Sequence, residues 1–403
     1  MKYSARVLLV TVLSVFTSLN VYSHRQANGP DTENDSREIS FPDTKNYKTL
    51  SLDPHTHSVF SDGHVWPTLR VSEALHDGLD AMAITEHLEY QPHLPDIPHP
   101  DRNRSFEIAT RANEGNDLML IPGSEITRRG PAGHINALFI TDANKLLNNY
   151  VPEDPSDFLE YYETVTKWPA QDAVDAANEQ GAFLFWNHAW WGSDFPNNIV
   201  VAPKFHIENA KNKNIHGIEI ANGKNYSEEA FQIALDFDLT LIGVSDVHEL
   251  IDWDYKPNEG GHRPVTLVLA KERTMESMRE ALFAGRTVVW FKNLLIARKN
   301  PMKELLDASL GITKASYSGD SDVLNVEIVN RSDSDFYLKN TGDYTFGESA
   351  DILRIAQHGT TKIAVKTGKR IKKVKLSFDV LNTLVKPKEY AKLTMSAKTE
   401  VLE

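Results

Sequence analysis

The chain of 403 residues contains no cysteine. That absence excludes a disulfide scaffold, thiolate zinc ligation, a cysteine nucleophile and a lipidated cysteine anchor. Any metal must therefore be held by nitrogen and oxygen donors. No G-x-S-x-G stretch occurs, which removes the nucleophile elbow of serine hydrolases. Positive charge is in deficit: 43 Lys+Arg stand against 56 Asp+Glu, a net charge of −13. Such a balance argues against a broad phosphate-gripping surface for nucleic acid. No internal repeat is visible. With 41% apolar and 25% charged residues, the chain reads as globular, with one large domain or two.

Long apolar runs are scarce outside the beginning of the chain. There Lys2 and Arg6 flank the start of a mostly apolar stretch, Val7 to Leu19, and Val21 and Ser23 follow as small residues. This is the pattern of a secretory signal over residues 1–23, short for a membrane span, which needs about 20 apolar residues. Residues 24–46 are polar and read as a flexible leader. The expectation is export, most simply to a periplasm, with no stable membrane span after cleavage.

Composition shifts near residue 298. Fourteen of the 15 histidines and all 7 tryptophans precede it, and residues 299–403 carry a local charge of +3. Two domains are expected, 47–298 and 299–403. In the first, apolar runs at 49–56, 80–86, 117–126, 135–141, 182–188, 216–222, 239–246 and 264–270 alternate with helical patterns at 66–77, 103–115, 169–180, 226–237 and 274–284. That alternation predicts an α/β architecture with a parallel sheet, and the number of strands suits a barrel. The second has short Val-, Ile- and Thr-rich segments at 323–329, 352–356, 361–366, 371–380 and 390–396, which predict a small all-β sandwich.

The chemistry lies where histidines and carboxylates fall. His55 and His57 stand two apart at the end of the first strand, so period-two alternation puts both imidazoles on one face. Asp62 follows before Gly63. His87, Glu125 and His188 come at the ends of later apolar runs, and Asp246 and His248 are again two apart. His134 opens a strand. Singly, each has an ordinary reading: Asp62 as a turn residue, Glu125 as the partner of Arg128 or Arg129, Asp246 as a cap. Five strand ends carrying acids and histidines together point to a multinuclear metal centre, at the barrel face where active sites lie.

This set resembles the polymerase-and-histidinol-phosphatase (PHP) superfamily of metal-dependent phosphoesterases over roughly residues 48–290. The family pattern runs HxH, an acid or His, a [DE]H pair, Glu, His, His and DxH, and each position is filled here. Amidohydrolase barrels also open with HxH, but want a Lys on a middle strand and a lone Asp on the last. The resemblance implies a distorted (β/α)7 barrel and three divalent ions, Zn, Mn or Fe. His55, His57, Glu125 and Asp246 would hold one, Glu125, His134 and His188 a second, and Asp62, His87 and His248 a third.

The function implied is an exported phosphoesterase that hydrolyses small phosphodiesters or phosphomonoesters through a metal-bound hydroxide, with Glu125 and Asp246 central to catalysis. Lys224, Arg263 and Arg128 are candidate phosphate partners, and Arg286 is expected to be structural. Trp190 and Trp191 would flank a leaving group, and His64 and His262 are candidate general acids. Competing readings are a nuclease acting on oligonucleotides and a non-catalytic protein whose β-sandwich recognises a surface component.

Overall fold

The computed structural model describes residues 38–97, 99–147, 157–191, 199–347 and 349–402. The expected signal, residues 1–23, and most of the expected leader lie outside them. Residues 38–46, expected in the flexible leader, are packed: Phe41 meets the Trp290 ring edge-on at 5.0 Å, and the Ser40 amide donates to Asp333.

The first domain opens with β1 (Lys48–Asp53), α1 (Pro67–His76), β2 (Ala81–Ile84), α2 (Arg104–Ala112) and β3 (Met119–Thr127). These strands are buried along nearly their whole length, which is why they read as continuous apolar runs. They pair in parallel, β1 with β2 and β2 with β3. Next come β4 (His134–Leu138), α3 (Phe158–Val165), α4 (Ala170–Glu179), β5 (Phe183–Trp186), α5 (Lys204–Lys211), β6 (Gly217–Asn222) and the short β7 (Asn225–Tyr226). The domain continues with α6 (Glu228–Asp236), β8 (Thr240–Val244), α7 (Ile251–Tyr255), β9 (Val265–Ala270), α8 (Met275–Phe283), β10 (Thr287–Phe291) and β11 (Leu294–Ala297). Ser227 and Thr274 cap α6 and α8, each accepting a backbone N–H from the first turn.

The strands form one curled sheet, ordered β11-β10-β9-β1-β2-β3-β4-β5-β6-β7, with β8 also on β6. Its curl brings β8 back towards β1 and β9: Thr56, just past β1, bridges Val247, and the Gly243 amide donates to Thr266 Oγ1 of β9. A Cβ on Gly243 would lie 2.3 Å from Val289, so only glycine lets β8 approach β10 there. The all-parallel expectation needs correction. β4 runs antiparallel to β3 and β5, and β9 antiparallel to β1 and β10. Hydrophobic periodicity reports burial and carries no strand direction. The coarser expectation, a curled α/β sheet flanked by helices, matches what is seen.

After α9 (Lys299–Ser309) the chain is all β: β12 (Leu310–Ser318), β13 (Val323–Asn330), β14 (Phe336–Asn340), β15 (Thr345–Phe346), β16 (Ile352–Ile355), β17 (Thr360–Lys366), β18 (Lys373–Val380), β19 (Thr383–Leu384), β20 (Ala391–Lys398) and β21 (Glu400–Leu402). Two sheets result, β15-β17-β13-β12-β21 and β16-β14-β18-β20. Burial alternates along β13 and β18, so Leu324, Val326, Leu376 and Phe378 fill the space between the sheets. The same apolar cluster runs through Met302 and Leu306 of α9 to Leu267 and Trp290 under the first domain. Strand β19 leaves the sandwich to pair with β11 of the large sheet. The β-rich tail is thus joined to the first domain by shared core and shared sheet.

Candidate metal centre

The strand ends converge as their spacing predicts. Just past β1, His55 and His57 are buried with their Nε2 atoms 2.9 Å apart, while the intervening Thr56 turns away to Ala83. Asp246 Oδ1 lies 3.2 Å from His55 Nε2 and 3.1 Å from His57 Nε2. Glu125 Oε2 lies 3.6 and 3.4 Å from the same two atoms. On the far side, the Nδ1 of His55 is 2.7 Å from Glu219, and that of His57 is 3.2 Å from Ser61 Oγ, which itself donates to Glu86. With Nδ1 turned to those acceptors, each imidazole in its neutral form would present an Nε2 lone pair inward. Two nitrogen lone pairs and two carboxylate oxygens face one point, an arrangement that repels itself unless a cation sits among them.

Glu125 divides its two oxygens. Oε2 serves the group just described, and Oε1 lies 2.9 Å from His134 Nδ1 and 3.5 Å from His188 Nε2. A third group forms around Asp62, whose Oδ1 is 3.1 Å from His248 Nε2 and whose Oδ2 is 3.4 Å from His87 Nε2. Gly63 holds that loop down, since a Cβ there would sit 2.8 Å from the His57 carbonyl carbon. The structure thus brings all nine sequence-predicted ligands together. Three overlapping donor groups, His55/His57/Asp246, His57/Asp62/His87/His248 and His87/Glu125/His134, lie close enough to hold ions.

Other features fit cation binding. The buried oxygens Glu125 Oε2 and Asp62 Oδ1 are faced by imidazole nitrogens, His87 Nδ1 at 2.6 Å and His248 Nε2 at 3.1 Å, the donor set that a cation would share. Asp246 and His188 hold positive φ angles of 50° and 21°, strained for non-glycine residues. Burial opposes charge on Glu125, yet His87, His134 and His55 hold its carboxyl well below the usual range. Asp246 is lowered in the same way, by His55 and His57 against burial. Burial disfavours charge on His87 too, but Glu125 and Asp62 raise it to about 10, whereas burial and the neighbouring His248 and His87 push His57 down to about 3. Ionised carboxylates in a buried pocket demand positive charge, which all-N/O donors can take from divalent metal.

The centre floors a cavity of about 350 Å³ whose walls include Tyr90, Thr127, Arg129, Tyr162 and Trp191. Trp191 stacks on His188 at 4.2 Å, at the mouth where a leaving group would sit. Trp190 is partly buried against the core instead. The predicted phosphate partners do not line this cavity. Arg263 is fully buried, 3.1 Å from Asp53 and 2.7 Å from Asp77, a structural ion triad in place of the substrate contact expected. Lys224 is exposed and pairs with Asp254 at 3.5 Å. Arg128 is buried against Glu89. His64 pairs with Glu249, and His262 stacks on Trp290 between two carbonyl oxygens, so neither lines the cavity. Arg286 binds Glu280 and the Leu269 carbonyl, a structural role.

Sequence reasoning missed Arg129, the arginine that does reach the cavity, and Glu219, which orients His55. The signal for Glu219 was present: a lone carboxylate inside the otherwise apolar run of β6, a costly placement without a buried partner.

An Ig-like domain family matches residues 310–396, the two-sheet tail. No curated protein matches the chain. Among solved structures, a two-domain protein from Bacteroides vulgatus, described as containing a predicted PHP-like metal-dependent phosphoesterase, is 37% identical. The match covers 89% of this chain and 98% of that one, with a TM-score of 0.78. An amidohydrolase from Chromobacterium violaceum is 17% identical over 49% of this chain and 87% of its own, with a TM-score of 0.35, too low to carry an argument. The convergence of candidate nitrogen and oxygen ligands near the strand ends and the likeness to the Bacteroides protein along nearly its whole length agree: this chain belongs to the PHP-like metal-dependent phosphoesterases, and is a hydrolase of that family with an Ig-like C-terminal domain.

Proposed function

We propose that this protein is an exported phosphoesterase that hydrolyses small phosphodiesters or phosphomonoesters at a centre of three divalent ions, Zn, Mn or Fe. The observation that carries this reading is the division of Glu125, one oxygen towards His55, His57 and Asp246 and the other towards His134 and His188. Those residues would hold two ions, and Asp62, His87 and His248 the third. Divalent ions there would neutralise phosphoryl charge and acidify water enough for attack near neutral pH. The chain's own contribution is positioning. Glu219 and Ser61 hold the first two imidazoles in the tautomer that points Nε2 inward. Arg129 offers a guanidinium to phosphoryl oxygens, steadied over the Tyr162 ring at 5.8 Å. Tyr90 and Trp191 give the leaving group flat walls. The basic and apolar pattern of residues 1–23 supports export.

The test is turnover of bis(4-nitrophenyl) phosphate and 4-nitrophenyl phosphate by purified protein loaded with Mn or Zn. Cleavage that a chelator abolishes and metal restores supports the reading. Full activity with metal removed overturns it.

A further inference from the structure

The outer face of the sheet β16-β14-β18-β20 carries charge opposite in sign to that of the whole chain. Val374, Leu376 and Phe378 of β18 are buried in the sandwich, so Lys373 and Lys375 stand exposed on its outside. The same alternation exposes Lys339 of β14 and Lys392 and Lys398 of β20. None of these five lysines has an ion-pair partner among the described residues. Asp379 is the one acid among the described strand residues of this face, in register with Lys339 on one side and Lys392 on the other. Lys373 lies directly opposite Lys398, a like-charge cross-strand pair that costs stability. Lysine on the edge strand β20 has an ordinary reason, protection against edge-to-edge pairing. That reason does not reach β14 and β18, which are inner strands. The other sheet matches its charges instead: Glu327 faces Lys362 in register and pairs with it at 3.5 Å. Between the lysines lie hydroxyl groups, Ser377 and Thr394 with oxygens 3.3 Å apart and Ser396 opposite Lys375. Tyr337 is exposed on β14.

We infer that this sheet face binds an acidic polysaccharide. Its carboxylate or sulfate groups meet the lysines, its hydroxyls meet Ser377, Thr394 and Ser396, and a sugar ring lies against Tyr337. Charge complementarity carries the choice of a polyanion. A net charge of −13 gives the chain no general attraction for one, so the pull is local to this face. Hydroxyls in the middle of the face favour a sugar polymer over a lipid surface, which calls for apolar side chains there. They favour it over single-stranded nucleic acid too, which calls for a row of aromatic rings where this face has Tyr337. The inference is independent of the chemistry at the metal centre.

The experiment measures binding of the full chain to polygalacturonate, dextran sulfate and neutral dextran, and to phosphatidylglycerol vesicles and DNA, single- and double-stranded. Binding to an acidic polysaccharide and none to neutral dextran is expected, and the better of the two acidic polymers identifies carboxylate or sulfate as the group read. Affinity should fall about tenfold or more between about 50 and about 200 mM salt. Lys373→Ser combined with Lys375→Ser is expected to weaken binding by at least about tenfold. Lys314→Ser combined with Lys366→Ser removes the same charge from exposed positions of the other sheet and should leave binding unchanged. No binding to either acidic polysaccharide, affinity in the parent chain that ignores salt, or an equal loss in both double variants overturns the inference. Tighter binding to the vesicles or to DNA than to both polysaccharides overturns it as well.

Discussion

His55 Nδ1 lies 2.7 Å from Glu219 Oε1, and neither side chain has any exposure. The other oxygen of Glu219 accepts the His188 amide at 2.6 Å and the Asn222 side chain at 2.9 Å. One buried carboxylate thus orients a proposed ligand of the first ion and the backbone of a ligand of the second. Glu219→Gln should lower metal affinity by about 10–100-fold, measured by competition with a fluorescent chelator. Unchanged affinity would remove the orienting role.

Glu125 is placed to serve two ions, so its loss should be felt twice. Glu125→Ala is expected to lower bound metal by at least one ion per chain, read by elemental mass spectrometry. Phosphoester turnover should fall by about 10³-fold or more. Its far-ultraviolet circular dichroism should stay near the parent's. A variant that keeps full metal content would refute the bridging arrangement.

Arg263 should behave as a stability residue. Its guanidinium is fully buried between Asp53 and Asp77. Arg263→Met removes the cation that both buried carboxylates face, a loss of about 3–5 kcal/mol in urea unfolding. A variant as stable as the parent but with raised KM would restore the substrate role expected from sequence.

His206 makes stability depend on pH. It stacks on Trp186 at 3.9 Å, and its Nε2 lies 2.7 Å from the Ala132 carbonyl. Burial pushes its pKa down to about 3, against a smaller upward pull from that hydrogen bond. Between roughly pH 6.5 and 3 the unfolded imidazole binds a proton that the native one refuses, so this residue's share of stability is lost as the pH is lowered, by at most about 1.4 kcal/mol per unit. His206→Phe should flatten the fall of Tm between pH 6.5 and 4 in chelator-treated protein. An identical slope in both proteins would reject this origin.

Much of the fold was legible because burial leaves a trace in sequence. Runs such as Phe183–Trp186 and Val265–Ala270 are buried end to end and appear as apolar runs. Pro169 and Gly181 marked the ends of α4 within a residue or two. Less was visible where the pattern is mixed. Lys204–Lys211 forms α5 with only His206, Asn209 and Ala210 buried, too little apolar surface to show a stripe. Strands β12 and β14 were likewise unread, since exposed polar residues dominate Thr313–Lys314 and β14 alternates over only five residues.

The candidate ligand set was legible in the sequence alone. Without cysteine the donors had to be nitrogen and oxygen, and a spacing of two at a strand end puts His55 and His57, or Asp246 and His248, on one side whatever else the fold does. The fate of the cations was decided by tertiary structure. Arg128 and Arg129 are neighbours of equal charge, yet a one-residue step along an extended chain turns their side chains apart, Arg128 inward to Glu89 and Arg129 to the metal cavity. Arg263 found Asp53 and Asp77, 210 and 186 residues away in sequence. Long side chains go where distant partners and desolvation send them, and only the assembled fold brings those partners near.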